Sequence, residues 1–150
     1  MFPYKKIIFV SVSDTCRGPW AEKLLQKEEI DGIQSESRGT VVLFSEPINP
    51  KAVVIAKTRQ IELEKHFSVP LQDNDFGEDT LVLAMTERLK QDIYDEYTEA
   101  KNVYTVKEFV GEEGDVLEPA GELTEYGEHF ELIERLVHKL AEKMNNPAEN

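Results

Sequence analysis

The sequence predicts an α/β fold. It predicts a single domain over residues 1–150, with a central parallel sheet of about four strands and helices on both faces. Short apolar segments alternate with longer segments of helical periodicity from end to end. Two continuous apolar segments, residues 5–10 and 81–85, are typical of strands buried on both faces of a parallel sheet. At 40% hydrophobic residues, a chain of 150 can form one core.

The remaining elements follow from local signals in chain order. Pro19 takes an early position in the first helix, and Thr86 is a typical helix N-cap. The predicted elements are a strand at 5–10, a helix at 18–29, a strand at 33–38, a loop with two prolines at 41–50, a helix at 51–60, a strand at 81–85, a helix from Thr86 to about Tyr97, and a strand at 103–105.

The last helix has the strongest pattern. Its apolar residues recur at spacings of three and four and therefore share one helix face. They are Tyr126, Phe130, Ile133, Val137, Leu140 and Met144. The polar tail at 145–150 is expected to fray.

Composition narrows the function classes. A net charge of −13 argues against nucleic-acid binding, which favours basic patches. No apolar segment approaches the roughly 20 residues that span a bilayer, and no signal peptide is visible. The single cysteine, Cys16, excludes an internal disulfide and suits a reducing compartment. We expect a cytoplasmic monomer with no membrane partner, no cofactor and no metal.

The loop between the first strand and the first helix carries the main functional signal. A strand, a compact loop and a helix N-terminus direct backbone N–H groups to one place, and Arg17 adds a guanidinium. Both donors suit a phosphate group, and open α/β folds bind ligands at this end of the sheet. The candidate phosphate-binding residues are Val12, Ser13, Asp14, Thr15, Cys16 and Arg17, preceded by Ser11.

This segment, through Gly18, Pro19 and Glu22, resembles the signature V-C-x-G-N-x-C-R-S-P-x-A-E of the low-molecular-weight protein phosphatases. Weaker matches at 37–39, 49–52, 79–86 and Tyr126 extend the resemblance over nearly the whole chain. In that family the first Cys attacks the phosphoryl group and the Arg clamps it. The resemblance implies a hydrolase of phosphorylated proteins that binds phosphate or another oxyanion, with Arg17 as the clamp.

Ser11 stands at the nucleophile position of that signature. A serine alkoxide is far harder to form than a thiolate, and no histidine is adjacent to Ser11 in the motif. Ser11 is therefore expected to allow phosphate binding without efficient turnover. Ser13, Asp14 and Gly18 also replace the usual Gly, Asn and Ser. Asp14 can adopt a left-handed turn about as Asn does, but it adds negative charge near an anion site.

Cys16 does not replace the missing nucleophile. It is adjacent to Arg17 rather than six residues before it, so the two side chains leave the loop in different directions. In the family a Cys at this position is not the nucleophile, and we expect a small buried thiol. An arsenate reductase on the same fold needs additional cysteines, which this chain lacks.

The resemblance also identifies a candidate acid. Relatives carry a mobile loop with Asp-Pro and an aromatic residue, and residues 115–121 match it with Glu118 at the acid position and Ala120 at the aromatic one. Glutamate can donate the proton, although its longer stem changes its reach. Asp115 is the fallback acid, and a plain surface acid is the alternative for Glu118. His66 either braces the loop, as a His does in relatives, or is structural or exposed.

Substrate and activity stay open at this stage. Thr15 resembles the protein-arginine phosphatase branch, but Ala120 widens the cleft for phosphotyrosine and phosphoarginine alike. One hypothesis is a phosphatase that Ser11 cripples or makes substrate-trapping, whether that serine is introduced or natural. The other is a natural pseudophosphatase that binds phosphoprotein. The changes at Ser11, Glu118 and Ala120 favour divergence, whereas the retained Arg17 favours catalysis.

Overall fold

The computed structural model describes residues 1–147. Its elements are β1 (Lys6–Ser11), α1 (Arg17–Lys27), β2 (Gln34–Gly39), α2 (Pro50–Lys57), a 3₁₀ turn (Asp73–Asp75), β3 (Thr80–Ala84), α3 (Glu87–Glu96), β4 (Val103–Thr105), α4 (Val106–Phe109) and α5 (Leu123–Asn145). The four strands form one parallel sheet in the order β2-β1-β3-β4. The predicted α/β class and parallel sheet are confirmed.

The two central strands form the middle of the core. The side chains of Ile7, Ile8, Phe9 and Val10 in β1 have no exposure to solvent, and neither do residues 81–84 in β3. Both strands have a neighbour on each side and helices over their faces. This double burial explains why each strand is a continuous apolar run in the sequence.

Helices cover the sheet from both sides. Because parallel crossovers are right-handed, and β1–β2 and β3–β4 run outward in opposite directions, α1 and α3 lie on opposite faces. The predicted apolar face of α5 is buried, which confirms that prediction. The rings of Phe130 in α5 and Trp20 in α1 pack edge to face, with their centroids 5.2 Å apart. The indole of Trp20 also donates to the Ala52 carbonyl of α2 at 3.0 Å.

The boundaries differ from prediction in a few places. The first helix ends at Lys27 and α2 at Lys57 because Glu29 and Gln60, which follow, adopt left-handed backbone conformations. The short helix α4, capped by Thr105, and the 3₁₀ turn were not predicted. Residues 148–150 of the predicted frayed tail lie outside the described residues. Within 1–147, no helix is both long and apolar enough to cross a membrane.

The end of β2 positions the candidate site. The amide of Gly39 donates to the Val69 carbonyl at 2.9 Å, and the Leu71 amide donates to the Gly39 carbonyl at 2.8 Å. These bonds fix the segment around Val69 beside the first strand-to-helix loop. A side chain at position 39 would lie 2.8 Å from the Val12 carbonyl oxygen, so only glycine permits this close approach.

Candidate phosphate-binding site

The loop from Ser11 to Arg17 turns its carbonyl groups outward. The amides of Thr40, Val41 and Asn49 donate to the carbonyls of Ser11, Val12 and Thr15, at 3.1, 2.8 and 2.9 Å respectively. Within residues 1–147, the loop amides of Ser13, Thr15 and Cys16 have no hydrogen-bond acceptor. Unpaired amides next to the N-terminus of α1 are suited to an oxyanion.

Ser11 is buried at the base of the loop, only 2% exposed. Its Oγ accepts a hydrogen bond from the Asp14 amide at 3.1 Å. Asp14 has a φ of 59°, the left-handed conformation that Asp tolerates about as well as Asn. The hydroxyls of Ser13 and Thr15 pair with each other at 2.7 Å across the turn.

The Asp14 side chain is fully buried and is held beside the 69 segment. Its Oδ2 accepts a hydrogen bond from the Val69 amide at 2.9 Å. The pKa of this carboxyl is raised to about 7, mainly by burial and to a lesser extent by the charge of Glu22. Hydrogen bonds from Ser37 and the Val69 amide oppose the rise. The expected negative charge of Asp14 is therefore only partly present at neutral pH.

Ser37 and His66 lie behind the same carboxyl. Ser37 is buried, and its Oγ is 3.5 Å from His66 Nε2. The other ring nitrogen of His66 is 3.8 Å from the Glu22 carboxylate. Burial lowers the pKa of His66, with Glu22 acting in the opposite direction. The His66 side chain is largely buried rather than exposed, and whether it braces the loop or is only structural stays a prediction.

Arg17 is 4% exposed and connects the loop to the segment that carries the candidate acid. Its Nη1 donates to the Val116 carbonyl at 2.9 Å. Burial lowers the pKa of Arg17, and the negative charge of Glu118 acts against that shift. Arg17 Nε is buried and has no hydrogen-bond partner in the described part of the chain, so this N–H still lacks an acceptor.

Cys16 is buried, and burial raises the pKa of its thiol to about 12, with the charge of Glu118 as the second cause. The neighbouring Arg17 lowers the pKa only in part. A thiol with such a pKa stays protonated at neutral pH and is a poor nucleophile.

The two candidate acids lie in different places. Glu118 is exposed, and its charge reaches both Arg17 and Cys16, which sets its carboxylate near the loop. Asp115 Oδ1 instead accepts from the Glu87 amide at 2.9 Å, at the N-terminus of α3. The structure therefore brings Glu118, and not the fallback Asp115, towards the loop.

Sequence reasoning missed two residues that hold this site. Val69 positions Asp14 through its amide, and Val116 positions Arg17 through its carbonyl. Both act through the backbone, so their side chains give no signal of the role. Tyr126, noted only as a family match, accepts a hydrogen bond from Asn49 Nδ2 at 3.1 Å beside the loop. No cluster in residues 1–147 has enough His, Cys, Asp or Glu to hold a metal.

A parallel α/β fold with such a loop is the architecture of small phosphate-handling proteins. The family model of the low molecular weight phosphotyrosine protein phosphatases matches residues 6–150, and the chain belongs to this family. Its named relatives are protein-tyrosine or protein-arginine phosphatases, which are hydrolases.

Individual comparisons agree with the family. A protein-arginine-phosphatase of Geobacillus stearothermophilus is 34% identical over 145 residues, or 95% of this chain and 97% of the relative. The solved YwlE arginine phosphatase from that organism superposes with a TM-score of 0.89 at 33% identity, covering 97% of this chain and 95% of that one. A cysteine-to-serine mutant of YwlE with a phosphorylated active site serine superposes with a TM-score of 0.84 at 34% identity. The match covers 93% of this chain and 95% of that one.

Proposed function

We propose that this chain binds phosphorylated proteins in the Ser11–Arg17 loop and dephosphorylates them slowly, because a serine stands at the position of the nucleophile. The observation that carries the proposal is the shared burial of Ser11 and Arg17 in one loop with unpaired amides. That arrangement provides an acceptor for the phosphoryl group and donors for its oxygens.

Each group has a separate part in this chemistry. The Arg17 guanidinium and the loop amides hold the phosphoryl oxygens as they gain charge. Glu118, at the rim, donates a proton to the leaving group. Ser11 Oγ attacks phosphorus, and the resulting phosphate ester of serine is slow to hydrolyse. The protein then acts as a trap for the phosphoryl group rather than as a fast catalyst.

The YwlE mutant described above supports this proposal. In that protein a serine replaces a cysteine, and the active site serine is phosphorylated. The present chain carries a serine, Ser11, at the matching motif position. We infer that Ser11 can accept a phosphoryl group in the same manner.

For the substrate we propose phosphoarginine in proteins, with phosphotyrosine as the second candidate. Thr15 is the loop residue by which this chain resembles the arginine-directed branch. The arginine phosphatases compared above are about one third identical to this chain in sequence. The rim also suits a protein rather than a small ester. Leu43 and Phe44 are 85% and 76% exposed and, with Ser13, line a cavity of about 140 Å³ beside the loop. A cytoplasmic monomer remains part of the proposal.

Hydrolysis of an aryl phosphate by this chain and by a Ser11→Cys variant tests the proposal. We expect the variant to be at least ~100-fold faster, because a thiolate forms readily in such a loop. Phosphoarginine and phosphotyrosine peptides then separate the two substrate classes. If Ser11→Cys is as inert as the parent, the catalytic proposal is wrong. The chain would then be a pseudophosphatase that only binds phosphoprotein, the reading that the changes at Glu118 and Ala120 favour.

A further inference from the structure

Three departures from the family signature meet at one point behind the loop. A Cβ atom built on Gly18 would lie 3.3 Å from Ser11 Oγ and 3.3 Å from Asp14 Oδ1. The absence of a side chain at Gly18 therefore leaves the serine hydroxyl and the carboxyl oxygen facing the same small space. A side chain at this position would contact both oxygens.

The Ser11 hydroxyl can donate a hydrogen bond, and the Asp14 carboxyl can accept one. Ser11 Oγ accepts from the Asp14 amide, but within residues 1–147 the hydroxyl has no acceptor for its own hydrogen. Asp14 Oδ1 is fully buried and has no hydrogen-bond partner in the same range. An unpaired buried acceptor is costly, and native structures retain few of them. Within the described residues, two hydroxyls adjoin this carboxyl: that of Ser37, which holds the pKa of Asp14 down and also lies 3.5 Å from His66 Nε2, and that of Ser11, which has no acceptor of its own.

The orientation of the carboxyl is fixed from the other side. The Val69 amide binds Oδ2 at 2.9 Å, which leaves Oδ1 as the oxygen available to Ser11. The backbone of Asp14 is left-handed, with a φ of 59°, and its amide donates to Ser11 Oγ at 3.1 Å. Ser37, whose Cβ also lies 3.3 Å from the built atom, closes the space on the β2 side.

We propose that Asp14 Oδ1 is the general base that removes the hydroxyl proton of Ser11 and so makes this serine a phosphoryl acceptor. The inference rests on the proposed function. In the step, a bond forms between Ser11 Oγ and phosphorus as the P–N or P–O bond of the substrate breaks. The hydroxyl proton passes to Asp14, and Glu118 protonates the leaving group. The products are phosphoserine at position 11 and the free arginine or tyrosine side chain.

No hydrogen bond joins the two oxygens in the resting loop. Proton transfer therefore follows a rotation of the Ser11 side chain or passes through one water, both of which are ordinary routes for a general base. The surrounding charges favour a base that works near neutral pH. Burial, with a smaller effect of Glu22 in α1, raises the pKa of Asp14 to about 7. Hydrogen bonds from Ser37 and the Val69 amide, and the charge of Arg38 in β2, oppose the rise. His66, beside Glu22, is the other titratable group behind the loop.

The test measures phosphoryl transfer to Ser11 directly. The full chain is mixed with p-nitrophenyl phosphate, and the burst of nitrophenolate is compared with phosphorylation of Ser11 by intact-protein mass spectrometry. We expect the rate to rise between pH 6 and pH 8. Asp14→Asn should be at least ~10-fold slower and should lose that rise, because the amide cannot accept the proton. Circular dichroism checks that this isosteric variant is folded.

A second background separates a base from a structural brace. In Ser11→Cys, the thiol ionises without a base, so Asp14→Asn should slow that protein by no more than ~3-fold, which gives a clear coupling in the double-mutant cycle. An equal loss in both backgrounds makes Asp14 structural and overturns the inference. So does an unchanged rate in Asp14→Asn, or a parent chain that is never phosphorylated while Ser11→Cys turns over. If Ser11→Cys is also inert, the proposed function itself fails, and the inference fails with it.

Discussion

Arg17 donates a hydrogen bond to the carbonyl of Val116 across the mouth of the candidate site. The bond links two segments that are 99 residues apart in sequence. Two residues after Val116, the same segment carries Glu118. The guanidinium that would hold a phosphoryl group is thus connected, through one backbone carbonyl, to the segment that would protonate the leaving group.

Arg17→Lys should weaken binding of vanadate or tungstate by at least ~10-fold. An ammonium is a point charge and cannot reproduce a bidentate clamp or the existing bond to Val116. Isothermal titration of both proteins gives the comparison. Arg88→Lys, on the exposed side of α3, is the matched control and should bind as the parent does. Equal affinity in Arg17→Lys and the parent would remove Arg17 from the clamp role.

Glu118→Gln in the Ser11→Cys background should slow hydrolysis by at least ~10-fold for substrates with poor leaving groups. A nitrophenyl ester needs little protonation and should be affected far less, whereas phosphoarginine should depend strongly on the acid. A plot of the logarithm of the rate against leaving-group pKa should have a steeper slope for Glu118→Gln than for its Ser11→Cys parent. Asp115→Asn, at the N-terminus of α3, is the control and should not change the slope. A uniform loss in Glu118→Gln would instead indicate lost binding.

Asp14→Asn should stabilise the protein at pH 8 but not at pH 4. The folded state raises the pKa of Asp14 from 3.8 to about 7, so in this range it retains a proton that the unfolded chain has released. Stability therefore falls as pH rises from about 4 to 7, by up to about 4 kcal/mol, and stays lower above that range. Asparagine has no such charge to bury.

Urea unfolding of the parent and Asp14→Asn at both pH values measures this effect. The difference in free energy of unfolding should be large at pH 8 and close to zero at pH 4. Asp95→Asn, an exposed position on α3, should show no comparable gain. A constant difference at all pH values would contradict the buried-charge explanation.

Gly39→Ala should destabilise the fold by about 1–3 kcal/mol and weaken oxyanion binding. The new methyl group would lie 2.6 Å from a Val42 methyl and 2.8 Å from the Val12 carbonyl, and the second contact is backbone. Thermal melts and oxyanion titrations measure the two effects. Gly77→Ala meets only Thr80 Oγ1 at 3.6 Å and should be nearly neutral. Unchanged melting and binding in Gly39→Ala would mean that the loop can shift freely.

Much of the fold could be predicted because burial leaves a pattern in the sequence. Strands β1 and β3, which are covered on both faces, have continuous apolar segments. The apolar residues on the one buried face of α5 recur at helical spacing. The end of α2 could not be predicted in the same way. Arg59 and Gln60 fit a helix by composition, and only the left-handed backbone of Gln60 shows where the helix has ended.

Candidate site residues could be proposed from the sequence where side chains would carry the chemistry. Ser11, Arg17 and Glu118 stand out by residue type and position. The direction of the Asp14 carboxyl was not predictable, because it depends on the Val69 amide, 55 residues away. The space at Gly18 was equally hidden, since a glycine in a motif does not indicate which atoms its missing side chain would have separated.

The burial of Cys16 has a consequence for oxidative chemistry. It is the only cysteine in the chain, and its thiol remains protonated and shielded. Peroxide and alkylating reagents attack accessible thiolates, so this loop offers them no target. In the Ser11→Cys variant we expect an oxidisable thiolate together with the faster turnover proposed above. Under the proposed function, a serine at position 11 would make the loop resistant to oxidants and slow in turnover.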